Sequence, residues 1–260
     1  MKEITFKGLR KFNIFMGSLH LIQAIFMLVV ALTVAKVKGF TPTIWSNFLT
    51  FDEIAGRLVS NPQEIFNLPF GILVASFLFL SALAHFIIAA PKINDKYNSD
   101  LKKGINQFRW YEYAISSTLM IMLIAVLFGV YDIGALILIG LLNATMNLFG
   151  LLMEKMNIGK EKTDWTAFIF GSLAGIGPWI VIALFAFGNS NPAEIPWFVY
   201  AIVGSYFVFF NMFPVNMVLQ YKKVGKWSNY LYGEKAYIVL SLLAKTTLAW
   251  LVFSGVMQPM

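Results

Sequence analysis

The chain of 260 residues has no cysteine, and only 13% of its residues are charged. The absence of cysteine excludes disulfides and catalysis by a thiol. A soluble domain contains about a quarter charged residues, so the low charge content argues against a soluble protein. In place of charge, 58% of the residues are hydrophobic and the mean hydropathy is +0.71. This composition indicates an integral membrane protein.

Seven stretches are long and apolar enough to cross a bilayer, because a helical span needs about 20 mostly apolar residues. They lie at about residues 12–35, 66–90, 108–130, 133–153, 165–187, 196–220 and 235–257. A long loop at 36–65, rich in polar and aromatic residues, joins the first two spans. The pattern predicts an all-α membrane protein, with one seven-helix transmembrane domain over residues 1–260.

The net charge of +7 lies mainly at one end of the predicted bundle. Fifteen Lys and Arg residues lie at the N-terminus or in loops on its side of the membrane, and three lie on the other side. Cytoplasmic loops carry the excess of Lys and Arg in membrane proteins. We therefore expect a multi-pass protein of the cell membrane with a cytoplasmic N-terminus and an extracellular C-terminus. This topology explains the basic charge, and no nucleic-acid partner is expected.

Five ionisable residues fall inside the predicted spans: His20, His85, Arg109, Glu112 and Lys245. Such residues are rare in spans and usually face an internal cavity. An ammonium at the bilayer centre costs about 3 kcal/mol or more, so Lys245 needs a partner. Glu112 is the only acid that the prediction places inside a span. Taken alone, Arg109 is as typical of an anchor at the membrane interface as of an internal site. Either histidine taken alone is more typical of a core residue whose hydrogen bonds are satisfied.

Helical spacing adds serines to this polar set. Ser116 lies four residues after Glu112, and residues four apart share a helix face. Two further serines have the same spacing: Ser81 before His85 and Ser241 before Lys245. Because His20, His85 and Glu112 are predicted at similar depth in the membrane, we expect one shared polar cavity, which these serines can join.

A buried lysine amine suits Schiff-base formation with an aldehyde, and the protonated imine then needs a carboxylate counterion. A polyene aldehyde would also need an apolar, aromatic slot. Candidate lining residues are Trp179, Phe210, Phe213 and Pro214 at mid-span, with Asn143 and Met146 one turn apart. Taken singly, these aromatic residues are more typical of packing or lipid-facing positions than of a ligand slot.

Over essentially its whole length the sequence resembles the heliorhodopsins, a family of retinal proteins with inverted membrane orientation. The matching strings are "SALAHF", "RWYEYAISSTLM", "LLNATMNLFG" and "SLLAKTTLAW". The resemblance implies all-trans retinal bound to Lys245 as a protonated Schiff base, with Glu112 as its counterion. It places Ser81 and Ser241 in the hydrogen-bond network, and Ser116 is expected to join them. It also places Asn143, Met146, Trp179 and Phe210 around the chromophore.

The resemblance extends to proton movement and assembly. His20 and His85 would line the cavity that takes part in proton transfer after light absorption. The loop at 36–65 would form a small extracellular β-structure that contributes to a homodimer surrounded by membrane lipid. The expected function is a light receptor with a slow photocycle, read by a partner at the basic cytoplasmic face.

An outward proton pump similar to the light-driven rhodopsins needs two further carboxylates. One lies in the third span beyond the counterion, and the other lies four residues before the lysine of the seventh span. Position 241 is a serine, and the third span beyond Glu112 contains no acid. The sequence therefore favours internal proton transfer without ion pumping. Three alternatives remain open: a light-driven ion transporter or channel, a light-dependent regulator of a partner enzyme or transporter, and a small transporter without retinal. No enzymatic activity is expected.

Overall fold

The computed structural model describes residues 4–188 and 197–257, without the side chains of 197–199. Seven helices in this part are long and apolar enough to cross a membrane. They are α1 (Phe6–Thr33), α3 (Phe70–Ala89), α5 (Gln107–Leu127), α6 (Ile133–Met156), α7 (Thr166–Phe187), α8 (Trp197–Tyr221) and α9 (Tyr230–Met257). Shorter elements are α2 (Ala35–Gly39), α4 (Pro91–Lys102) and a 3₁₀ turn (Gly225–Ser228). The predicted seven-helix membrane architecture is confirmed.

Local sequence signals explain several helix ends. The Thr5 side chain accepts a hydrogen bond from the Gly8 amide and caps α1, and Asp132 caps α6 in the same way. Pro91 occupies the first turn of α4, where its missing N–H costs nothing. Pro178 and Pro214 lie inside α7 and α8.

The first loop forms the predicted β-structure. Strands β1 (Thr43–Asp52) and β2 (Arg57–Asn67) pair antiparallel as a hairpin, with a bulge between Ile44 and Trp45. The Trp45 amide donates to the Tyr131 carbonyl at 2.9 Å, which ties the hairpin to the turn before α6. Most of the hairpin is exposed, whereas Ile44 is fully buried.

The helices pack in a ring around a mostly apolar core. Helix α1 packs on α3, α3 on α5, α5 on α6 and α6 on α7, while α8 packs on α9 and α9 on α1. Between α7 and α8, Trp179 makes edge-to-face contacts with Phe207 and Phe210. This arrangement directs the inner faces of α3, α5 and α9 toward one another, and the polar residues of the site lie on these faces.

Two helix boundaries differ from prediction in a way that matters. Helix α9 begins at Tyr230 instead of residue 235, and α6 continues to Met156 instead of ending at 153. Both differences bring an acidic residue, Glu234 or Glu154, inside a helix and into the core. Helix α1 begins at Phe6 instead of residue 12. The first residue of the sixth predicted span, 196, lies outside the described residues.

Candidate functional site

Lys245 lies on the inner face of α9 and is only 3% exposed. Its Nζ donates to Glu112 Oε1 at 2.6 Å, to Ser116 Oγ at 2.8 Å and to the Ser81 hydroxyl. Ser81 in turn donates to Glu112 Oε1 at 2.7 Å. Three helices, α3, α5 and α9, therefore meet at one amine.

The contact with Glu112 compensates the free-energy cost of burying the Lys245 ammonium. One cation and one carboxylate together are neutral, and two hydroxyls supply further hydrogen bonds. A buried pair of this kind is tolerated only when geometry and hydrogen bonding are both satisfied. The Glu112 side chain is 11% exposed, so the pair lies away from solvent. The predicted contact between Lys245 and Glu112 is present.

A small polar cavity of about 30 Å³ adjoins this pair. Glu112, Ser81, His85 and Ser241 line it, as expected from the spacing of the serines. Asn13 of α1, which the sequence did not single out, lines it as well. A polar cavity of this size has room for one or two waters, since a water needs about 10–15 Å³.

The two histidines lie together. The His20 ring stacks on the His85 ring with a centroid distance of 5.6 Å and an interplanar angle of 18°. His20 is fully buried, and His85 is 8% exposed. His85 Nδ1 lies 2.8 Å from Asn13 Oδ1. His85 thus lines the small cavity beside the Lys245–Glu112 pair, whereas His20 stacks on the His85 ring and does not line that cavity.

A second, larger cavity of about 420 Å³ begins at Lys245 and runs between α5, α6, α7 and α8. Met146, Trp179 and Phe210 line it, together with Phe213 and Pro214. Pockets for small organic ligands are typically about 300–1,000 Å³ and mostly apolar. The size and lining of this cavity fit an elongated apolar aldehyde such as retinal.

Asn143 contributes differently from prediction. It is buried and donates to Ser117 at 2.9 Å and to Thr118 at 3.0 Å. The cavity wall itself is formed by Ser117 and by Asn147, one helical turn after Asn143. Asn143 therefore supports the wall without being one of its lining residues.

Two glycines let α7 approach α6 at the large cavity. A Cβ at Gly171 would lie 2.9 Å from the Cβ of Phe149, and one at Gly175 would lie 2.5 Å from the sulfur of Met146. Both glycines line the cavity.

The lining of the large cavity also includes Phe207, which is 54% exposed. The cavity thus reaches the bilayer-facing surface between α7 and α8.

Sequence reasoning missed a buried charge cluster around Arg109. The guanidinium forms ion pairs with Glu154 of α6 and Glu234 of α9, and all three side chains are almost fully buried. Asn106, which caps α5, donates its backbone amide to Glu154 at 2.8 Å and its side chain to Glu234 at 2.7 Å. The Tyr97 hydroxyl donates to Glu234 at 3.0 Å.

The cluster corrects two expectations about charge. Arg109 is not an interfacial anchor, and Glu112 is not the only acid inside a helix. Glu154 and Glu234 each precede a lysine at the edge of an apolar run, which is also typical of surface charges.

Outside the spans, burial raises the pKa of Tyr97 well above its usual range, and the Glu234 carboxylate beside it acts in the same direction.

Comparison with protein families matches nearly the whole chain. The sequence family described as heliorhodopsin matches residues 9–257. No curated protein matches the sequence. Among the described residues, no group of three His, Asp or Glu side chains is arranged to hold a metal ion.

Proposed function

Because the chain belongs to the heliorhodopsin family, we propose that it is a photoreceptor that binds all-trans retinal at Lys245. Membership implies a retinal-binding, light-sensing rhodopsin that crosses the membrane several times, not a typical enzyme. The observation that carries the proposal is the position of Lys245 Nζ, paired with Glu112 at the end of an aromatic cavity. Retinal joined to Nζ as a Schiff base would supply visible absorption and a light-driven isomerisation.

The residues around Nζ would hold its proton in the dark. Glu112 supplies the negative charge, and the hydroxyls of Ser81 and Ser116 orient it. Met146, Trp179 and Phe210 would hold the polyene and exclude water from it. Ser241, His20 and His85 would form the polar space into which the proton moves.

Glu112→Gln is expected to shift the visible absorption maximum to longer wavelength. The carboxylate stabilises positive charge at Nζ, so its removal raises the energy of the chromophore's ground state and brings it closer to the excited state. For the same reason the visible band should be lost at lower pH than in the wild type. A spectrophotometric pH titration measures both effects. Glu161→Gln, in an exposed loop, is the control and should behave as wild type. An unchanged spectrum in Glu112→Gln would mean that another group is the counterion.

We further propose internal proton transfer without ion pumping. The polar groups around Lys245 lie toward the end of the bundle where α5 and α9 begin. Toward the other end, these helices contribute buried apolar side chains such as Ile121, Leu248 and Val252. Among the described residues, the titratable side chains that line the small cavity with Glu112 thus lie toward the end where α5 and α9 begin. The return of the Nζ proton depends on groups inside a small cavity, which is consistent with a slow photocycle.

Illumination of vesicles that contain the retinal-loaded protein is expected to leave the pH of an unbuffered suspension unchanged. Proton transfer inside one cavity moves no charge across the membrane. A pH electrode with and without a protonophore provides the measurement, and a known light-driven pump in matched vesicles provides the control. A sustained light-dependent pH change that the protonophore abolishes would instead favour the alternative, a light-driven transporter or channel.

The orientation and the partners are part of the same proposal. The basic loops and α4 carry exposed lysines such as Lys92, Lys96, Lys222 and Lys226. The excess of positive charge favours a cytoplasmic position for this face and for the N-terminus, and an extracellular C-terminus. We propose that an acidic surface of a cytoplasmic signalling partner binds there, and that membrane lipid surrounds the apolar outer faces of the helices.

We propose that the hairpin forms the interface of a homodimer. The hairpin residues Phe48, Leu49 and Phe51 are 50%, 67% and 60% exposed, and exposed apolar patches mark interaction sites. Leu49→Glu is expected to shift the protein from dimer to monomer, as measured by light scattering in detergent. Gln63→Glu adds the same charge to a polar, exposed position of the hairpin and should not change the mass. A dimer that persists in Leu49→Glu would place the interface elsewhere.

A further inference from the structure

Asn13 of α1 lies between the backbone of its own helix and the ring of His85. Its Nδ2 donates to the Leu9 carbonyl at 3.0 Å, and its Oδ1 lies 2.8 Å from His85 Nδ1. Asn13 is 1% exposed and His85 is 8% exposed, so solvent does not compete for these contacts. Both side chains line the small cavity beside Lys245.

The first of these contacts determines which way the Asn13 amide faces. A backbone carbonyl can only accept a hydrogen bond, so the group that faces Leu9 must be the NH₂ donor. The carbonyl oxygen of the side chain then faces His85, and it too can only accept. His85 Nδ1 must therefore be the protonated ring nitrogen, because the hydrogen bond at one nitrogen determines the tautomer. In the neutral ring, Nε2 keeps its lone pair.

His20 has no comparable constraint. Within the described residues neither of its ring nitrogens has a hydrogen-bond partner. Its ring stacks on His85 without contacting Asn13 through a hydrogen bond. The close approach of α1 and α3 depends on Gly17, where a Cβ would lie 2.9 Å from the Cβ of His85. Gly17 and Asn13 are four residues apart and share the face of α1 that meets α3.

We propose that Asn13 is a positioning residue that holds His85 as the Nδ1–H tautomer, so that His85 Nε2 accepts the proton that leaves Lys245 Nζ. In this step the N–H bond at Nζ breaks and one forms at Nε2, which leaves Nζ neutral and the imidazole a cation. Glu112 remains a carboxylate. The hydrogen bond from Nδ1 to Asn13 persists and becomes charge-assisted, which stabilises the cation.

The charged and titratable groups around His85 are consistent with this direction of transfer. Glu112 of α5 lines the same cavity and supplies a negative charge, and Lys245 of α9 supplies the proton. His20 of α1 contacts the ring face. Arg109 and Glu234 also line the cavity and are paired with each other.

The tautomer can be tested without retinal or light. The chain has only two histidines, so ¹⁵N-histidine labelling gives two rings, and His20→Phe leaves His85 alone. Solid-state NMR of the apoprotein, at a pH where the imidazole is neutral, is expected to show the Nδ1–H tautomer. Asn13→Leu should produce a mixture of tautomers or the Nε2–H form. Asn13→Asp should keep the Nδ1–H form, because an ionised or a protonated carboxyl can accept from Nδ1.

The transfer step rests on the proposed function and has its own readout. Flash photolysis of the retinal-loaded protein reports the loss of the Nζ proton as a blue shift in absorbance. Asn13→Leu should slow or reduce this signal by about tenfold or more, less than the roughly hundredfold or greater effect of losing a general base itself, and Asn13→Asp should restore it. An Nε2–H ring in the wild type, or wild-type behaviour of Asn13→Leu in either measurement, would overturn the proposal. Failure to bind retinal would affect only the proposed function, because the NMR result does not depend on it.

Discussion

Lys245→Ala is expected to abolish the visible absorption band, near green light, that the wild-type protein should develop with all-trans retinal. Lys245 is the lysine that lines the large cavity, and its Nζ lies beside the carboxylate that would stabilise a protonated Schiff base. Alanine keeps the helix but removes the amine that would bind the aldehyde. An absorption spectrum of purified protein after incubation with retinal measures the effect.

Two further variants make this result interpretable. Lys235→Ala removes an exposed lysine from the first turns of the same helix, and its visible band should be that of the wild type. Lys245→Ala also leaves Glu112 buried without a cation, which destabilises the fold. The double variant Lys245→Ala/Glu112→Gln removes both charges and should be better folded, yet equally colourless. A visible band in either alanine variant at position 245 would contradict the proposed attachment site.

Arg109→Met is expected to destabilise the protein by about 3–5 kcal/mol, the usual cost of removing one partner from a buried ion pair. Arg109 joins α5 to α6 and α9 through Glu154 and Glu234, and both carboxylates would lose their cation. Thermal unfolding in detergent, followed by intrinsic fluorescence, gives the change in melting temperature.

The matched controls separate charge from packing. Arg57→Met removes an exposed arginine from the hairpin and should leave the melting temperature unchanged. The triple variant Arg109→Met/Glu154→Gln/Glu234→Gln has no charge in the cluster and should recover much of the lost stability, since neutral replacement of a buried ionic group is often tolerated. If Arg109→Met melts at the wild-type temperature, the cluster does not stabilise the folded state.

The sequence alone was sufficient to predict the seven membrane spans and the Lys245–Glu112 pair, and its resemblance to the heliorhodopsins predicted the β-structure in the first loop. Apolar runs of span length are compatible with few alternatives, because the bilayer forces backbone hydrogen bonding within each helix. A lysine deep in such a run also needs a carboxylate, and the predicted spans contained only one. The serines at helical spacing followed from the same periodicity.

The charge cluster required the tertiary structure. Glu154 and Glu234 lie near helix ends, where a sequence pattern does not distinguish a surface charge from a buried one. Their burial depends on where α6 ends and α9 begins, and on the helices that bring Arg109 between them.

The contact between Asn13 and His85 also required the tertiary structure. The two residues are far apart in the chain, and although His85 stands out as an ionisable residue inside a span, nothing in the sequence pairs it with Asn13. Only the packing of α1 on α3 brings the amide to the ring. The sequence by itself determined which membrane-spanning helices form and which charge must be paired with Lys245. The tertiary structure decided how the remaining polar groups are arranged around that pair, because hydrogen bonds between helices depend on helix packing and not on periodicity.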